Sequence, residues 1–295
     1  FAFAVTGPVV LFHISDSGIF SYIEPVDSVM FGILLAAVIW TLFPFYWTFI
    51  TSLKSSAEIA AKPITYWPVH VITENYSNAW KTGGFSRYFL NSLKVSLIST
   101  VFTVLFATMD GYALARYKYK GKNAFLLILL CTQFFPTSML IIPLFKIYNM
   151  THLINNHMSL ILTYTAFHIP FNAALMRSFI SGIPATLEEA ARVDGCNRLQ
   201  AVTHILMPLL LPGIAAVSAY SFISSWNEYL YALMFMSSDS KYTIPVGLSM
   251  TIGEYSINYG QLCAGSVIAL LPILIMFAYV QKYMVSGLSS GAVKG

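Results

Sequence analysis

Charge is what this sequence has least of. Only 9% of its 295 residues are Asp, Glu, Lys or Arg, against a hydrophobic share of 57%. Soluble domains carry about 25% charged residues. With a mean hydropathy of +0.69 the chain cannot cover a soluble surface, and an all-α polytopic membrane protein is expected. The net charge of +4 is small and dispersed, so no basic stripe exists to track a phosphate backbone and a nucleic-acid partner is excluded. Cysteine is scarce as well. Cys131, Cys196 and Cys263 lie far apart without a CxxC pair or metal spacing, and read as small packing residues. No Gly-x-x-x-x-Gly-Lys-Ser/Thr loop is present to cradle ATP phosphates. The chain begins with Phe, and no basic run followed by a cleavage site suggests a signal peptide.

What is present is a series of apolar runs. Residues 1–28 hold only a short one, too short for a bilayer core of roughly 30 Å, and are expected to be an interfacial or unassigned tail. Span one is expected over 28–53, with a kink at Pro44, and span two over 88–113. Lys94 and Asp110 in span two are roughly 24 Å apart along a helix and are expected to reach toward opposite interfaces. Span three (123–145) is expected to break at Pro136 and Pro143; span four (158–179) contains His168 and Pro170. Spans five and six are expected over 209–235 and 262–283. The permease domain would thus cover 29–286, followed by a cytoplasmic tail over 287–295. The run Arg116, Lys118, Lys120 and Lys122 contains no acid and sets the orientation. Basic residues in short loops stay inside, so the N-terminus and the loop between spans four and five are expected on the cytoplasmic side.

That loop, from Thr186 to Pro212, is the most polar stretch of the C-terminal half. Thr186 and Glu189 have the spacing of a capping box. Leu187, Ala190, Ala191 and Asp194 recur at helical spacing on one expected face. Gly195 is the expected stop, since glycine enters φ > 0 without steric cost. A short helix with small residues on one face reads either as a docking knob or as a solvated loop helix.

Glu189, Ala190 and Ala191, then Gly195, then Ile205 after nine intervening residues, closed by Pro208, resemble the EAA signature of membrane subunits of bacterial ABC importers. Met207 stands where that signature has Leu. The runs NSLKVS (91–96), GYALARYKYKGK (111–122), IPATLEEAARVDG (183–195), WNEYLYAL (226–233) and GLSSGAVKG (287–295) are similar to carbohydrate-type permeases, specifically the smaller six-span subunit of maltose-type importers. The resemblance implies about six transmembrane helices with a cytoplasmic coupling helix between spans four and five. It assigns ATPase coupling to Glu188, Glu189, Ala190, Ala191, Asp194 and Gly195. It implies homodimeric ATPase subunits that use ATP and Mg, a second permease subunit, an extracytoplasmic solute-binding protein and a bacterial inner-membrane location. This chain itself would bind no cofactor and catalyse no reaction.

A translocation path is sought at Trp226, Asn227, Glu228 and Tyr229, where aromatic faces beside amide and carboxylate groups suit a sugar. The competing reading makes Trp226 and Tyr229 interhelical packing and Asn227 a cap on a broken backbone. Gly287 to Gly291 match Gly-x-Ser-x-Gly, but no strand precedes them, so a nucleophile elbow is not expected. His152 and His157 share a loop without a third ligand, and His168 and His204 are single. The alternative function is an ion-coupled secondary transporter, for which Asp110 and Glu228 are the candidate intramembrane acids.

Overall fold

The computed structural model describes residues 25–252 and 257–292. Residues 1–24 of the expected tail lie outside the described residues. Ten helices organise the rest: α1 Pro25–Ser52, α2 Phe85–Arg116, α3 Lys122–Cys131, α4 Ile141–Met150, α5 His157–Gly182, α6 Thr186–Val193, α7 Leu211–Trp226, α8 Leu230–Phe235, α9 Ile244–Met250 and α10 Tyr259–Ala292. No strand occurs among the described residues; Ile252 and Ile257 form one isolated bridge.

Among the described residues three helices are long and apolar enough to cross a membrane, within the ranges Val29–Ser52, Phe85–Arg116 and Tyr259–Tyr283. Two bent pairs can each serve as a crossing. The first, Lys122–Phe134 with Thr137–Met150, turns by 89°. Pro136 sits at that turn, where it can neither donate to a preceding carbonyl nor let the residue before it stay helical. Pro143 falls in the first turn of α4, where a missing N–H costs nothing, so the second expected break is absent. The other pair, Arg198–Leu209 with Leu211–Trp226, turns by 74°. At 26 residues, or about 39 Å, α5 is long enough for a sixth crossing, although Ser, Thr, His, Asn and Arg interrupt its apolar runs and it is not among the helices apolar enough to cross. The polar residues explain themselves by position: Ser159, Thr163, Thr165 and Asn172 are buried inside the bundle. α1 continues through Pro44 as helix and leaves its apolar face, including Trp40 at 83% exposure, uncovered by this chain.

The axis of the bundle is the α2–α5 pair. α2 buries Ser92, Ser96, Ser99, Thr103, Ala107 and Gly111 along one face, a stripe of small residues at helical spacing. In membranes such stripes let two backbones approach, because lipid offers no hydrophobic driving force. Gly111 is the tightest point: a Cβ there would lie 2.9 Å from both the Arg177 amide nitrogen and the Met176 Cβ. α7 joins them, its Ser225 hydroxyl 3.2 Å from Ser99 and its Ser221 hydroxyl 3.2 Å from Asn172.

The two ends of this pair are held differently. At one end Arg87 pairs with Asp239 at 3.2 Å, Tyr88 bonds the same carboxylate, and Asn91 donates to the carbonyls of Ser240 and Tyr242. Asn155 donates to Ser238 at 2.6 Å, so the α4–α5 and α8–α9 connections share this end. The other end carries Arg116, the basic run and α6.

Candidate functional site

α6 is built differently from the sequence expectation at its start and as expected at its end. Ala185 already has helical dihedrals (φ −66°, ψ −24°) and is the cap. Leu187 donates to the Pro184 carbonyl at 3.3 Å and Glu188 to that of Ala185 at 3.0 Å. Thr186 is therefore inside the helix, where its side chain cannot reach the free first-turn amides, and the Thr186–Glu189 capping box does not form. The box sits one segment later: Asn197 Oδ1 accepts from the Gln200 amide at 2.9 Å, and Gln200 Oε1 accepts from the Asn197 amide at 2.8 Å. At the other terminus Gly195 has φ +93°, with its amide donating to Arg192 O and that of Cys196 to Ala191 O at 3.0 Å. This is the paired 5→2 and 6→1 closure of a Schellman motif, satisfying carbonyls the helix leaves free.

The expected single face splits. Ala191 turns inward together with Glu188, while Leu187, Glu189, Ala190, Arg192, Val193 and Asp194 are exposed. Residues 188 and 191 are one turn apart and share a side; 187, 190 and 194 share another. Of the six residues assigned to coupling, Glu189, Ala190, Asp194 and Gly195 are thus available to a partner surface. Glu188 and Ala191 are taken up by this chain. Val193, 87% exposed, joins the outward set and was not singled out by sequence, where an apolar residue among charged neighbours carries no signal.

What Glu188 meets is the end of α2. Arg116 Nε donates to Glu188 Oε1 at 2.6 Å and Tyr112 Oη to Glu188 Oε2 at 3.0 Å. Arg116 Nη2 also donates to the Ile183 carbonyl at 2.9 Å. Beyond Gly195, the Arg198 guanidinium donates to Tyr117 Oη at 2.6 Å and lies 4.9 Å from that ring's centroid. Leu206 and Leu210 then bury against Met176, Ile180 and Val217, seating the loop's return on α5 and α7.

The expected span five ends early. α7 stops at Trp226, and Glu228 starts α8 by accepting from the amides of Tyr231 at 2.9 Å and Ala232 at 3.1 Å. Tyr164 Oη donates to the same carboxylate at 2.5 Å. The carboxylate, not the Asn227 amide, caps the broken backbone, and α8 terminates at Phe235. Trp226 is buried at 2% exposure, its indole donating to the Ala269 carbonyl at 3.1 Å and its ring packed with Phe89 and Phe222. It is a strut between α7 and α10, so among the four path candidates the exposed ones are Asn227 and Tyr229. A cluster of rings not anticipated from sequence lies along α5 and α7: Phe171 and Tyr220 are 4.8 Å apart and His168 is 6.1 Å from Tyr220. Phe171 and Tyr220 are 39% and 42% exposed.

Residues 104–289 match the family described as "Binding-protein-dependent transport system inner membrane component". The chain belongs to that family. It is a transport subunit, an integral membrane permease. The permease is 36% identical to the sulfoquinovosyl glycerol transport system permease protein of Agrobacterium fabrum, over 86% of this chain and 89% of that one. It is 35% identical to the arabinooligosaccharides transport system permease protein of Bacillus subtilis, over 86% and 91%. Among solved structures, a chain of a bacterial ABC transporter involved in import of the acidic polysaccharide alginate superposes with a TM-score of 0.77 at 26% identity. That superposition covers 89% of the permease and 99% of that chain. The inward-facing MetNI methionine ABC transporter shares the fold alone, with a TM-score of 0.53 at 18% identity over 68% and 95%.

Proposed function

We propose that this permease is the smaller membrane subunit of an ATP-binding-cassette importer that moves a sugar or oligosaccharide inward across a bacterial cytoplasmic membrane. The observation that carries the reading is α6. It is a rigid, Schellman-terminated helix between two membrane helices, and it presents Glu189, Ala190 and Asp194 outward on the family's EAA pattern. Relatives named for a sulfoquinovosyl glycerol and for arabinooligosaccharides support the carbohydrate class.

The mechanism follows from mechanics. An ATPase subunit that seats α6 in a cleft can approach closely over Ala190 and pair a basic group with Glu189 or Asp194. Closure of two such subunits on ATP and Mg moves α6, and the helices attached to it, α5 and α7, follow as a body. No residue here performs chemistry on nucleotide. The path would run beside Asn227 and Tyr229, with Phe171, Tyr220 and His168 as further sugar-facing groups: rings offer stacking to C–H faces, and polar groups take hydroxyls. Glu228 would shape this path by holding the α7–α8 break. A second permease, homodimeric ATPase subunits, an extracytoplasmic solute-binding protein and surrounding lipid complete the assembly.

The test is nucleotide hydrolysis by the reconstituted complex with its binding protein and candidate sugars. Wild type should hydrolyse ATP faster when the carried sugar is added. The double variant Glu189→Lys with Gly195→Pro should assemble and lose that stimulation. Transport without nucleotide, or a double variant that behaves as wild type, overturns the reading.

A further inference from the structure

We propose that Arg116 is a positioning residue that carries movement of α6 directly into α2, so that the coupling stroke does not depend only on the chain connection to α5. This rests on the reading of α6 above.

The geometry is a clasp of three helix ends on one guanidinium. Arg116 is the last residue of α2, and Ile183, whose carbonyl it holds, is the C-terminal cap of α5. Both termini are the negative ends of their helix dipoles, where a cation is favoured. Glu188 is in the first turn of α6, the positive end, where an acid is favoured. All three preferences meet on one guanidinium, whose Nε bonds Glu188 and whose Nη2 bonds the Ile183 carbonyl. Tyr112, one turn before Arg116 on the same face of α2, takes the second carboxylate oxygen, so the carboxylate is gripped at both oxygens by one helix. The side chains of Arg116 and Glu188 are only 14% and 11% exposed, so the pair is not a screened surface bridge. Removing either partner leaves a largely buried charge uncompensated.

The clasp supplies stiffness the chain itself lacks. Between α5 and α6 only Ile183, Pro184 and Ala185 intervene, and the backbone is extended at Ile183 (φ −92°, ψ 125°). Across the turn at Gly195, Arg198 bonds Tyr117, whose ring meets that of Tyr112 edge-on at 6.0 Å. Residues 112–117 therefore grip the loop on both sides of its turn. α2 is 32 residues long, about 48 Å, and its far end is tied through Arg87, Tyr88 and Asn91 to the 239–242 segment. A displacement of α6 imposed on Arg116 is thus delivered along one rod to the opposite face.

The experiment reads sugar moved per ATP hydrolysed by the complete complex in proteoliposomes. Arg116→Gln and Glu188→Gln should each lower that ratio roughly tenfold, within the range of ordinary coupling energies, while the complex still assembles on gel filtration. Because the two residues act as one unit, the double variant should be no worse than either single. Arg116→Lys keeps the charge without the fork and should recover part of the ratio; Tyr112→Phe should lose less than either Gln variant. A wild-type ratio in both Gln singles, or losses that multiply in the double, overturns the proposal. If the Gln variants fail to assemble, a wild-type ratio in Arg116→Lys and Tyr112→Phe overturns it instead. Glu189→Lys, on the outward face, separates the two claims. If it abolishes stimulated hydrolysis while Arg116→Gln keeps a wild-type ratio, α6 couples without the clasp. A silent Glu189→Lys in a complex that transports without nucleotide removes the proposed function itself.

Discussion

Glu228 shows how much one side chain can decide. An acid within a membrane segment invites a functional reading, and two adjacent aromatics strengthen it. Here both carboxylate oxygens are committed, one to the Tyr231 amide, the other to the Ala232 amide and the Tyr164 hydroxyl. Truncation strands two helix-start amides and a buried phenol away from water. Glu228→Ala should therefore destabilise the purified permease by about 1–3 kcal/mol. Tyr164→Phe removes one donor and leaves the cap intact, for about 1 kcal/mol. Melting of both variants in detergent reads the difference; a Glu228→Ala transition at the wild-type temperature would show that the α7–α8 break needs no cap. Trp226 carries the complementary lesson. Its place between Phe89, Phe222 and the Ala269 carbonyl depends on α2 and α10, more than forty residues away in either direction, and no local pattern announces it.

Among elements, the α2–α5 contact separates two kinds of glycine. At Gly111 the chain has ordinary helical dihedrals, and the constraint is space: an added methyl meets a backbone nitrogen and a Cβ at 2.9 Å. Backbone cannot rotate away as a side-chain tip can, so Gly111→Ala must spread the helices, at about 1–3 kcal/mol for overpacking. At Gly195 the surroundings are open and the constraint is φ +93°. Gly195→Ala should cost about 1 kcal/mol, confined to the end of α6. Thermal unfolding of the two variants should rank Gly111→Ala as the more damaging. Equal melting temperatures would mean that the α2–α5 approach is slack. The same scale explains the misplaced capping box. Thr186 and Glu189 have the right spacing, but Ala185 already has helical dihedrals and takes the cap one residue earlier, while Glu188 turns inward and Glu189 stays exposed.

For the molecule as a whole, the paired ends of the bundle give a topology that can be measured. Ser240 and Gln200 are both exposed and lie at opposite ends of α2. With Cys131, Cys196 and Cys263 replaced, Ser240→Cys should react with a membrane-impermeant thiol reagent in intact cells, and Gln200→Cys only after permeabilisation. The reverse pattern would invert the orientation drawn from Arg116 to Lys122. Several features were determined by sequence alone, because each depends on residues close together along the chain. These are the helical membrane class, the apolar runs that became α1, α2 and α10, the break at Pro136 and the left-handed stop at Gly195. Hydrophobicity, a missing amide hydrogen and a missing Cβ act wherever the residue sits. Tertiary structure alone decided which side of α6 faces inward, that Glu228 caps the start of α8, and that Trp226 is a strut. Each of these turns on a partner distant in sequence, such as Arg116 for Glu188 or Tyr164 for Glu228. Distant partners meet only once packing has brought their helices together.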